Sequence, residues 1–157
     1  MSNGRRLLAA AASALVLLTS CGEEVSDEEK LPYSTEGYDI VLTEPDPDLL
    51  FGQIYDMTFN ADKYEGQSTI VKGYFNHFTD PANKEYNAVF VPDAAACCSQ
   101  GIEFVLKGEH TFPDDYPEQG QEMVISGTFS SYDEYGVTYL QLLDADIVYL
   151  GKKEGEK

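Results

Sequence analysis

The sequence predicts a small all-β domain, a five- to six-stranded barrel or sandwich, with one short helix ahead of it. Three observations point that way. Short runs rich in β-branched and aromatic residues recur through the second half of the chain, clusters of turn-forming residues separate them, and the apolar spacing changes from helical to alternating at Gly66.

The helix comes first. Asp46-Pro47-Asp48 supplies a capping carboxylate, a proline suited to the first helical position and an acid near the positive helix end. Leu50, Ile54 and Met57 then recur at helical spacing, with Phe51, Tyr55 and Thr58 beside them, and the pattern fades at Asn60. Gly52 counts against this helix, because an interior glycine costs about 1 kcal/mol relative to alanine. The strands follow as Ser68–Phe75, Tyr86–Val91, Ile102–Lys107, Glu122–Ser130 and Val137–Leu143, with Ala145–Leu150 as a sixth or as a continuation past a bulge. In Ile102–Lys107 the alternation is clean, with Ile102, Phe104 and Leu106 sharing one face. Turns are expected at Asp80-Pro81-Ala82-Asn83, Pro113-Asp114-Asp115, Pro117 and Asp133-Glu134-Tyr135-Gly136. Gly73 and Gly127 fall inside strands, where glycine marks a bulge or a tight coil.

Ahead of the domain stands an export signal. Arg5 and Arg6 precede the uncharged run Leu7–Leu18, which is shorter than the about 20 residues of a membrane span but right for the apolar core of a secretory signal. Leu18-Thr19-Ser20-Cys21 resembles a bacterial lipobox. The resemblance implies cleavage between Ser20 and Cys21 and lipid on the Cys21 sulfur. Two or more acyl chains hold a protein firmly on a membrane without spanning it. Residues 1–20 are thus expected to be a signal peptide, and the mature protein a lipid-anchored one on the extracytoplasmic side of the cell membrane or envelope. Residues 21–45 are acidic and poor in large apolar side chains, which predicts a disordered tether; Tyr38–Leu42 is the patch within it able to dock as an edge strand. Residues 46–150 form the expected domain and 151–157 a disordered tail.

Charge narrows the partners. Removing residues 1–20 takes away two arginines and no acids, leaving 8 lysines against 28 acids and a formal charge of −20. Such a surface repels phosphate, so nucleic acid is excluded as a partner despite the abundant aromatics. No phosphate-binding loop, nucleophile elbow, zinc-protease helix, EF-hand loop or C-x-x-C motif is present. Asp114, Asp115 and Glu118 lack the ligand order of a calcium loop and read as solvated. The domain is expected to bind a partner protein or small ligand rather than to act as an enzyme.

Cys97 and Cys98 hold the remaining chemistry. Adjacent Cα atoms lie about 3.8 Å apart, below the span a disulfide prefers, so a bridge between them would be strained and easily reduced. Thiolates also bind zinc or copper(I), with Asp93, His77, His110, Glu103 or Glu109 as further ligands. His77 ends the first expected strand and His110 follows the third. Alternatively, an early start to the third strand makes Cys98 a small core residue and Cys97 an ordinary loop thiol.

Tyr64, Gly66 and Gly73, then Gly120 and Gly127, follow a spacing that resembles small bacterial OB-type barrels. VFVPDAAACCSQGIEFVL followed by YPEQGQEMVISGTF is similar to the double-cysteine OB-type domains of bacterial exported proteins. Some relatives are the soluble partner of a small paired permease associated with metal handling. The resemblance implies an OB-like fold and favours metal over disulfide at Cys97, Cys98 and Asp93. This chain departs from the permease-linked members in having no membrane-spanning helices.

Overall fold

A computed structural model describes residues 31–153. The signal peptide, the Ser20–Cys21 cleavage and lipidation site, residues 21–30 of the expected tether and residues 154–157 of the expected tail lie outside the described residues. No helix among those described is long and apolar enough to cross a membrane.

The fold is mostly β, with one α-helix. Helix α1 spans Pro47–Phe59 and starts as its sequence requires: the Asp46 carboxylate accepts from the backbone N–H of Asp48 and Leu49, at 3.0 and 3.3 Å. It stops at Asn60, whose N–H turns back to the carbonyls of Asp56 and Met57. Leu50, Ile54 and Met57 are its buried stripe. Phe51, Tyr55 and Phe59 form a ring ladder along another face, with centroids 6.5 and 5.0 Å apart.

Six strands make one sheet: β1 (Ile40–Leu42), β2 (Ser68–Thr79), β3 (Glu85–Pro92), β4 (Ser99–Leu106), β5 (Glu122–Glu134) and β6 (Val137–Leu150). Their order is β1-β2-β3-β4-β6-β5, and β2 also pairs with β5. The β1–β2 and β4–β6 pairs are parallel and the others antiparallel. Strand β2 divides its partners along its length. Ser68–Tyr74 pairs with β5 and Tyr74–Thr79 with β3. Gly73 sits at that crossover, where an added Cβ would lie 2.5 Å from the Phe90 carbonyl oxygen and 2.7 Å from Val89 Cγ2. Gly127 falls at a register shift between β5 and β6, again with no room for a side chain. The apolar faces of the sheet and of α1 meet in one core. Ile54, Phe75, Ile102, Phe129 and Leu142 are essentially inaccessible within it, and burying such a side chain contributes about 1.5–3 kcal/mol.

Several bounds differ from the sequence-based ones. Ile40–Leu42, inside the expected tether, is strand β1. Its anchor is Asp39, whose carboxylate accepts from the N–H and hydroxyl of Ser68 at 3.0 and 2.7 Å, while its own N–H donates to the Ser68 carbonyl. Strand β2 runs four residues past Phe75, because Asp80 organises the following turn by accepting from the N–H of Ala82 and Lys84. Strand β5 runs to Glu134 and turns through Tyr135-Gly136, both at positive φ as a two-residue hairpin turn demands. Ala145–Leu150 continues β6 past a bulge at Asp144, φ 49°. Beyond β6, Gly151 donates to the Glu122 carbonyl and accepts from the Gln121 amide, so the chain stays attached at least that far.

A candidate thiol and carboxylate metal centre

The β3–β4 hairpin carries the double cysteine at its tip. The strands part after the Pro92–Ser99 pair, and residues 93–98 make the turn. Asp93 builds it. Its N–H donates to the Cys98 carbonyl and its own carbonyl accepts from Ala96, both at 3.0 Å. Ala96 takes a left-handed backbone, φ 51°. The Asp93 carboxylate Oδ1 accepts from the N–H of Cys97 at 2.9 Å and of Cys98 at 3.4 Å. The turn is tied to α1 as well, since Asp48 Oδ1 accepts from the Ala94 N–H at 3.0 Å.

These backbone bonds bring three side chains together. Cys97 Sγ donates to Asp93 Oδ2 at 3.2 Å, and the two sulfurs are 3.8 Å apart. Among the described residues, Asp93, Cys97 and Cys98 form a group whose possible ligand atoms all lie within 4.8 Å of one another. Both thiols are free and exposed. A disulfide has its sulfurs about 2.05 Å apart, so the cysteines are two separate thiols here. The core alternative for Cys98 is corrected too. Strand β4 begins at Ser99, and Cys98 stands outside the ladder in solvent.

Electrostatics matches the geometry. The hydrogen bond to the Asp93 carboxylate, and secondarily the Cys98 sulfur, push the Cys97 thiol up to about 11. The same thiol is the chief reason that the Asp93 carboxyl is held below its usual range. In the metal-free protein at neutral pH, Cys97 is therefore a protonated thiol beside an ionised carboxylate. That makes it a poor nucleophile, because the thiolate is the reactive form. A cation that replaces the shared proton meets donors already in place.

The histidines belong to another region, and their place in the expected ligand set is corrected. His77 pairs across β2–β3 with Asn87, and its Nδ1 lies 2.9 Å from Asn87 Oδ1. Its ring stacks on Phe112, centroids 3.8 Å apart. Asn87 precedes Asp93 by six strand residues, which is roughly 20 Å. His110 follows the far end of β4 from Ser99, and its Nε2 lies 2.9 Å from the Lys107 carbonyl oxygen. The two histidines flank one aromatic cluster, His110 against Tyr116 and His77 against Phe112, at the opposite end of the hairpin from the cysteines.

Three of the remaining acids named from the sequence have other work. Glu103 accepts from the Tyr132 hydroxyl at 2.7 Å. Asp115 accepts from the Thr111 N–H, and Glu118 pairs with Lys153, both at 2.7 Å. Sequence reasoning missed Asp48 as a brace of the cysteine turn. It carried a local signal only as a helix-start acid, and no spacing rule links it to Ala94. Comparison of the chain with protein-family models, with curated proteins and with solved structures finds no match.

Proposed function

We propose that this protein is a lipid-anchored binding protein of the extracytoplasmic envelope, with an OB-type barrel that carries a zinc site at Asp93, Cys97 and Cys98. One observation carries the metal reading, the 3.8 Å between the sulfurs with a carboxylate oxygen 3.2 Å from one of them. A tetrahedral zinc with bonds of about 2.3 Å to sulfur holds two thiolates about 3.8 Å apart, and a bound carboxylate oxygen about 3.5 Å from each. Three protein donors leave a fourth position for water or an outside ligand. Copper(I) shares the taste for thiolates, but a carboxylate is a harder donor and suits zinc better. The protonated state of Cys97 argues against thiol catalysis, and zinc binding there displaces the proton into solvent.

The barrel reading draws on the β2–β5 pairing, which links the two ends of the β2-β3-β4-β6-β5 series, and on the parallel β4–β6 pair among antiparallel neighbours. The anchor rests on the Leu18–Cys21 motif alone.

Elemental analysis of the mature protein, purified reduced and without oxygen, tests the metal reading. One zinc per chain, lost in the Cys97→Ser, Cys98→Ser double variant, is the expected result; a metal-free protein after zinc loading and desalting refutes it. Mass spectrometry of native material tests the anchor. A chain that begins at a diacylated or triacylated Cys21 is expected, and an intact Met1 start refutes it.

A further inference from the structure

Lys84 immediately precedes β3, and its ammonium sits in a box built by side chains of β3 and β5. Its Nζ lies 4.7 Å from the centroid of the Tyr86 ring and 5.5 Å from that of Tyr132, and donates to Glu134 Oε1 at 2.9 Å. The Tyr86 hydroxyl donates to the other oxygen of Glu134 at 2.9 Å. Each tyrosine is itself backed by a ring, Tyr86 by Phe78 at 5.2 Å and Tyr132 by Tyr139 at 5.5 Å. Aromatic faces attract cations through their quadrupole, most strongly where water is thin. The fold therefore already contains an alkylammonium site, filled by its own lysine.

A second carboxylate opens into the same place. Glu103, half-buried on β4, lies in the wall of two adjoining clefts, of about 370 and 420 Å³, and Tyr86 lines both. Its hydrogen bond comes from Tyr132, whereas Lys84 Nζ is spent on Glu134. A carboxylate has about four lone-pair positions and Tyr132 uses one. Burial lifts the Glu103 carboxyl above its ordinary range, against the pull of the Tyr132 hydroxyl and of the Lys84 charge. Two carboxylates thus share one ammonium between tyrosine faces, in a chain with a formal charge of −18. An anion is opposed there by both acids. A second ammonium is complementary to them.

We infer that this cleft is a binding site for a primary alkylammonium group, a small amine or a lysine side chain of a peptide, held on Glu103 beside the resident Lys84 in the space that Tyr86 and Tyr132 also line. It lies toward the end of the β3–β4 hairpin away from the cysteines, and does not depend on the metal reading.

The test is an NMR titration of the isotope-labelled mature protein with butylammonium and with a doubly capped lysine, each against sodium chloride of equal ionic strength. Saturable shifts at Glu103, Tyr132 and Tyr139 are expected. Saturation by both ligands assigns the site to amines generally, and by capped lysine alone to peptides. Glu103→Gln retains an acceptor for the Tyr132 hydroxyl but loses the charge, and should weaken binding about tenfold or more. Lys84→Gln removes the resident cation and should tighten binding about threefold or more. Shifts no different from those of sodium chloride overturn the inference. So does a folded Glu103→Gln protein of unchanged affinity, or a Lys84→Gln protein that binds more weakly.

Discussion

Replacing Asp93 by Asn separates the charge of this side chain from its role in the turn. Asparagine keeps an Oδ1 to accept from the N–H of Cys97 and Cys98, so the hairpin tip retains its backbone bonds. What disappears is the carboxylate oxygen that accepts the Cys97 thiol at 3.2 Å. With the thiol pushed up to about 11 from an ordinary 9.0, the thiolate fraction at pH 8 is lower by about a hundredfold. The more basic thiolate is intrinsically the better nucleophile, with a Brønsted slope of about 0.4–0.5, which returns about tenfold of that loss. Because the Cys98 sulfur supplies part of that rise and remains in the variant, Asp93→Asn should speed alkylation of Cys97 by iodoacetamide several-fold, with about tenfold as the upper bound, in chelator-treated protein. Fragment-ion mass spectrometry of timed samples distinguishes Cys97 from its neighbour. An unchanged or slower rate at Cys97 would refute the assignment of the thiol–carboxylate bond.

Two further outcomes follow from the fold. Gly73→Ala places a methyl 2.5 Å from a backbone carbonyl at the β2 crossover and should lower stability by about 1–3 kcal/mol, whereas Gly52→Ala on α1, with nothing within 4 Å, should raise it by about 1 kcal/mol. Denaturant melts of the two variants check the opposite signs. Glu103→Gln should stabilise the protein at pH 7 but not at pH 4. Burial raises the folded carboxyl above its unfolded value, and Lys84, Glu134 and Tyr132 are the groups that act on it. The stability this acid allows is complete below about 4.3 and declines as pH rises through the raised folded value. Denaturation midpoints at the two pH values check this, and a variant less stable at pH 7 than wild type would contradict it.

Local chemistry was the readable part of the chain. Asp46-Pro47 marks the start of α1 because capping and proline geometry act within a few residues, and the buried stripe Leu50, Ile54 and Met57 follows from helical spacing. Gly73 and Gly127 were visible as a bulge or tight coil, since glycine within a strand has few other causes, and continuation of β6 past a bulge was one of two readings; the close approaches at these glycines needed the pairing of the strands. Long-range pairing was not readable. The β-branched content of Tyr38–Leu42 marked a patch able to dock as an edge strand inside an expected tether, but its partner was not legible: Ile40–Leu42 joins the sheet through Asp39 and Ser68, twenty-nine residues apart. At the site, Asp93, Cys97 and Cys98 were legible because one short turn holds all three. The histidines misled because a strand has two ends. Which end of β3 His77 meets depends on its pairing with Asn87, a register that no single strand records.

The proposed metal centre is tested most directly by X-ray absorption at the zinc edge of zinc-loaded mature protein. Two sulfur neighbours at about 2.3 Å with oxygen completing a four-coordinate shell is the expected spectrum. A shell of oxygen and nitrogen alone, or one containing imidazole, would contradict a zinc held by Cys97, Cys98 and Asp93.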